Sequence, residues 1–176
     1  RGVITVASLV GRQLACLPFT VSRLLSFSFA VGGNDSITSG AGNDVVIAGV
    51  GNDTVSSGSG NDVVLGDNGV ILVDTVGAPA LVTTGDPLLG GDALISTGAG
   101  NDLAMGGAGN DTLLGGAGND VLLGDNGQVT YSPDGTLVDI LSLDTLTGGN
   151  DILDAGAGND VLIGGQGIDL LYGSLG

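Results

Sequence analysis

Histidine, glutamate, lysine and tryptophan are absent from this chain, and each absence removes a class of chemistry. With no histidine and a single cysteine, Cys16, neither a zinc site nor a histidine-dependent catalytic triad can be assembled. A lone cysteine also makes no disulfide within the chain, and Cys16 reads as a small buried hydrophobe. The only basic residues are Arg1, Arg12 and Arg23, so nothing after Arg23 carries positive charge. With a formal charge of −16, the chain repels nucleic acid rather than binding it. Aromatic residues are 3% of the chain, too few to line a sugar site, so paired aspartates acting as acid and base on a glycoside are not expected. No apolar run reaches the length of a membrane-spanning helix. The chain opens on Arg1 rather than Met, the expected mark of a processed product or a fragment.

What is present pulls in two directions. All 19 acidic residues are aspartate, and a compact chain with that imbalance repels itself. Yet 42% of the residues are hydrophobic and the mean hydropathy is +0.46, unlike a disordered acidic tail. Such a chain is apolar enough to fold and too acidic to fold unaided. Bound cations would resolve the conflict.

The stretch Gly106–Gly124, GGAGNDTLLGGAGNDVLLG, shows how. It is two copies of a nine-residue unit, G-G-A-G-N-D followed by three apolar-leaning residues. Glycines permit a tight turn with positive φ, and Asn110 is the residue type that next best tolerates it. Asp111 then presents a carboxylate from a turn whose carbonyls are free to point inward, and Thr112-Leu113-Leu114 is long enough for one short strand. A hard cation such as Ca²⁺ takes carboxylate and carbonyl oxygens, and this turn supplies both. Aspartate recurs in this phase at Asp35, Asp44, Asp53 and Asp62, at Asp102, Asp111 and Asp120, and at Asp151, Asp160 and Asp169.

The unit resembles the nonapeptide of the RTX family, the hemolysin-type calcium-binding repeats written G-G-x-G-x-D-x-U-x with U a large apolar residue. The resemblance implies an all-β fold, a right-handed parallel β-roll solenoid in which two nonapeptides make one coil. It implies several Ca²⁺ ions, with those ten aspartates as the ligands. Aspartates eighteen residues apart, such as Asp35 and Asp53 or Asp102 and Asp120, would stack on one side and share ions. Asx-turns alone would account for one or two of the aspartates, not for the array.

The repeats are themselves repeated. Asp44, Asp102 and Asp160 stand 58 apart, as do Asp53, Asp111 and Asp169, and the Gly-Asp-Asn-Gly closes at Asp67 and Asp125. The chain therefore divides into a divergent apolar N-terminal segment, 1–31, read as a first insert or a cap; repeat block 32–69; a hairpin insert, 70–89; repeat block 90–127; a second hairpin insert, 128–147; and repeat block 148–176. Pro and Gly in Ser132-Pro133-Asp134-Gly135 and Gly77-Ala78-Pro79 mark the hairpin turns. Asp67 and Asp125 are secondary ligand candidates. So is Asp92, which precedes Ala93, the residue standing where the 58-residue period places an aspartate.

The middle residue of each short strand is expected inside the roll: Ile37, Val46, Val55, Val64, Ile95, Ala104, Leu113, Leu122, Leu153, Leu162 and Leu171. Flanking pairs such as Val63 and Leu65 are apolar too, and that outer face should be covered by the inserts or by a neighbouring chain. The expected function is an extracellular, bacterial calcium-binding structural protein, not an enzyme. It would be a calcium-rigidified rod of a filament, surface layer or large adhesin, self-associating head to tail and not inserted in a membrane. The alternative is the calcium-binding secretion and folding module of a larger RTX toxin or secreted hydrolase. An ice-binding roll would need a flat Thr- or Ser-rich face, which the outward Val, Leu and Ile do not provide.

Overall fold

The computed structural model describes residues 4–6, 23–25, 32–74, 77–143 and 148–174, and for the first two segments the backbone alone. Cys16 and most of the N-terminal segment lie outside the described residues. Those described are all β, in a parallel roll of two sheets with a third, antiparallel sheet laid against it.

One roll sheet holds the short strands β1 (Ile4–Val6), β4 (Val45–Ile47), β6 (Val63–Leu65), β10 (Leu103–Met105), β12 (Val121–Leu123) and β16 (Val161–Ile163), in that order. The other holds β3 (Ser36–Ala41), β5 (Thr54–Ser59), β9 (Leu94–Ala99), β11 (Thr112–Ala117), β15 (Ile152–Ala157) and β17 (Leu170–Gly173). All pairs within both sheets are parallel and each middle residue stacks on its counterpart, Val46 on Val64 and Leu113 on Ile95 and Leu153. Alternate nonapeptides therefore behave differently. In the second sheet the strand extends to six residues in β3, β5, β9, β11 and β15, where the repeat alone predicts three. The added length passes through a glycine column: Gly116 has φ 107°, and a Cβ there would strike the carbonyl oxygen of Gly98 in the coil before it. Only glycine allows that stacking.

The roll interior is the file of middle residues. Ile37, Val46, Val55, Val64, Ile95, Ala104, Leu113, Leu122 and Leu153 are buried together, with Leu162 half-buried against them. Each buried Val, Leu or Ile contributes about 1.5–3 kcal/mol of apolar transfer. Leu171 departs from the expectation: it is 46% exposed, because β17 is the last described coil and nothing described stacks beyond it.

The inserts form the third sheet, in the order β14 (Leu137–Ser142), β13 (Gly127–Tyr131), β8 (Pro79–Thr84), β7 (Gly69–Val73) and β2 (Arg23–Leu25). Both hairpins turn where Pro, Gly and Asp demand it. Asp74 accepts the amide of Ala78 at 2.9 Å, and Asp134 accepts that of Thr136 at 3.1 Å. The sheet lies over the outward face of the short strands, so that Ile71, Val82 and Val129 bury Ile47, Leu65, Met105 and Leu123 in a second core. The inserts are thus the cover that the apolar outer face required.

The spacing of the inserts has a geometric cause. From one hairpin to the next the roll adds two coils, and a hairpin adds two strands to its own sheet. Both advance by two strand spacings of ~4.8 Å, so all three sheets grow in step.

Candidate calcium-binding turns

Each interior Gly-Asn-Asp turn is stitched to the turns above and below it, by its two polar side chains acting in opposite directions. Asparagine reaches forward: Asn43 Oδ1 accepts the amide of Asn61 at 2.9 Å, and Asn61 Oδ1 that of Asn101 at 2.9 Å. Aspartate reaches back: the amide of Asp44 donates to Asp62 Oδ1 at 2.8 Å, and the amide of Asp62 to Asp102 Oδ1 at 2.7 Å. The asparagine column was not anticipated from the sequence, although the recurring G-N-D triplet carried the signal.

The aspartates fall into two rows, one on each side of the roll. The first runs Asp44, Asp62, Asp102, Asp120 and Asp160, with a backbone-to-carboxylate bond between every neighbour. The second runs Asp35, Asp53, position 93, Asp111, Asp151 and Asp169. Steps of 18 residues within a block and 40 across an insert bring these residues together.

The second carboxylate oxygen matters most for chemistry. Oδ2 of Asp53, Asp62, Asp102, Asp111, Asp120 and Asp151 is buried with no hydrogen-bond partner. An unmatched buried carboxylate oxygen is costly, and one such atom per turn, repeated along both rows, needs a common explanation. Glycine makes room around them. A Cβ on Gly106 would strike both Asp111 Oδ2 and the Gly124 carbonyl oxygen. One on Gly115 would lie 2.6 Å from both Asp120 Oδ2 and the Ala155 carbonyl oxygen. Carboxylate and carbonyl oxygens therefore face a shared glycine-lined space, a donor set of hard oxygens that suits Ca²⁺. Among the described residues no three acidic side chains group as a metal site, so an ion held here would draw its other ligands from carbonyls or water.

Electrostatics agree with the geometry. Burial pushes Asp111 up to about 9, partly offset by the Ala93 amide it accepts and reinforced by repulsion from Asp151, Asp67 and Asp92. Burial likewise raises Asp151 to about 7 and Asp102 to about 6, and shifts Asp53, Asp62 and Asp120 upward. No lysine or arginine stands anywhere in the roll blocks to offset these charges.

The secondary candidates stand elsewhere. Asp92 is exposed and its Oδ1 accepts the amide of Asn110 at 2.8 Å, so it occupies an asparagine place in the outer column. Asp67 is buried, with Oδ1 taking the Gly91 amide at 3.2 Å and Oδ2 the Ala108 amide at 2.5 Å. Asp125 repeats this with Gly149 at 2.9 Å and Gln166 at 2.5 Å. These two join the point where the chain leaves the roll to the turn where it re-enters. Asp35, Asp160 and Asp169 are half-buried at the ends of the rows.

The family model of the RTX calcium-binding nonapeptide repeat, in four copies, matches residues 29–69, 96–130 and 145–176, more than half of the chain. No curated protein matches it.

Proposed function

This chain belongs to the RTX calcium-binding nonapeptide repeat family, a structural calcium-binding domain rather than a catalytic one, and on that premise we propose that it is an extracellular rod stiffened by calcium. The observation that carries the reading is the file of buried, unpartnered Oδ2 atoms on both sides of the roll. Ca²⁺ bound between successive turns by these oxygens and the glycine carbonyls would neutralise the rows and lock each coil to the next. Domains outside the cell bind calcium with modest affinity, which suits sites built from two carboxylates and carbonyls.

The ligand assignment is tested by two substitutions. Asp111→Ala should lower Ca²⁺ affinity about tenfold or more, since it removes a buried carboxylate between two turns. Asp134→Ala, at an exposed hairpin turn, should change it by less than about twofold. Equal losses in calorimetric titration would refute the assignment.

A rod in a filament, surface layer or large adhesin is favoured over a secretion module by the way all three sheets grow in step. Among the described residues β16, β17 and β14 are the edges of their sheets at one end, with Leu170, Leu171 and Tyr172 exposed. Unpaired strand edges invite pairing with another chain. The stitching is polar, Asn forward and Asp back, so a head-to-tail contact continues it and a tail-to-tail contact does not. Such contacts give open filaments. Light scattering and electron microscopy in millimolar Ca²⁺ should show linear assemblies; a monodisperse monomer would exclude the filament.

A further inference from the structure

The two aspartate rows are not alike, and the difference lies at one residue. In the first row each carboxylate meets the amide one coil earlier without a break. In the second, the Asp35 amide meets Asp53, but the Asp53 amide has no carboxylate to meet, because residue 93 is alanine. The row resumes one coil later, where the Ala93 amide donates to Asp111 Oδ1 at 2.7 Å.

Neither of the two nearby carboxylates fills the gap. Asp92 is turned outward and holds Asn110. Asp67 spans the Ala93 turn and the Asp111 turn after it, yet both its oxygens already accept amides. The next copy settles its role. There Asp125 makes the same pair of bonds while Asp151, the counterpart of Ala93, stands in the row beside it. Asp67 is therefore a constant of the fold and not a substitute for the missing ligand.

The space for that ligand is retained. Ala93 is 3% exposed, and a Cβ on Gly66 would lie 2.9 Å from Ala93 Cβ and 2.5 Å from the Gly106 carbonyl oxygen. In the next copy the corresponding cradle, at Gly124, is filled by Asp151 Oδ2 and faces the Gly164 carbonyl. Accepting the calcium reading above, we infer that one row binds Ca²⁺ continuously while the other is interrupted at Ala93, a glycine-lined calcium position lacking its carboxylate. The chain then holds two classes of ion. The turns flanking Ala93 are the weakest level of the rod, and they lie directly where the first insert hairpin rejoins it.

Restoring the carboxylate tests this. Equilibrium dialysis against Ca²⁺ alone should show Ala93→Asp binding at least one more ion per chain than the natural sequence, with Ala93→Asn gaining none. The reciprocal change, Asp151→Ala, should reproduce the gap in the next copy and lose the same number. Circular dichroism in Ca²⁺ checks that each variant folds. If folded Ala93→Asp binds the same number with unchanged affinity, the gap is not a calcium position. Should that variant fail to fold, unchanged stoichiometry in Asp151→Ala overturns the inference equally. A natural chain that binds no Ca²⁺ would instead overturn the calcium reading on which this rests.

Discussion

In excess chelator the far-ultraviolet β signal of this chain is expected to collapse, and Ca²⁺ to restore it. Carboxylates stacked one strand spacing apart, ~4.8 Å, repel by roughly 3–4 kcal/mol per pair at an effective dielectric of about 20. The first row alone contains four such neighbouring pairs, and no basic residue stands in the roll blocks to offset them. That repulsion is comparable with the whole net stability of an ordinary domain, about 5–15 kcal/mol. Metal binding and folding are therefore expected to be one transition. Mg²⁺ should restore far less signal, since it holds its water and demands a smaller octahedral shell than these carbonyl-rich turns provide. A spectrum unchanged by chelator would defeat the calcium-roll reading.

Acid should do in part what calcium does, which inverts ordinary acid denaturation. Burial foremost raises the buried aspartates, to about 6 at Asp102, about 7 at Asp151, about 8 at Asp67 and about 9 at Asp111. The folded, metal-free chain thus holds protons that the unfolded chain, with aspartates near ~3.9, has released. Stability from these groups is fully present below the unfolded value and is lost as pH rises through the folded ones. In chelator the β signal should therefore be larger near pH 4 than near pH 8. In saturating Ca²⁺ the order reverses, because protons displace the ion from the same oxygens. Circular dichroism across that range, with and without chelator, reads both limbs. A metal-free chain no more structured at pH 4 than at pH 8 would show that burial of these carboxylates does not limit folding.

The roll interior was legible because the nine-residue count places the middle residue of each short strand, and alternation along a strand turns it inward. Val46, Leu113 and Leu153 followed from that rule alone. Leu171 did not, since burial there depends on a further coil and not on the local pattern. The hairpins were legible in Ser132-Pro133-Asp134-Gly135, where turn chemistry is local. The 58-residue period read residues 1–31 as a first insert or a cap with no shared motif, and β2 pairs Leu24 with Ile71 in the register that β8 uses on β13, Val82 with Val129.

By itself the sequence determined the repeat, the residue types in each turn and the imbalance of charge, because these depend only on spacing and composition. Tertiary structure alone decided which oxygen of each aspartate is satisfied and which is left facing the turn. It also turned Asp92 into the outer column beside Ala93, and made Asp67 and Asp125 clamps on the turns where the chain re-enters the roll. Each of those outcomes is set by a neighbour 18, 24, 40 or 41 residues away along the chain. Only the stacking of coils brings such neighbours within hydrogen-bonding reach, so no local pattern could have announced them.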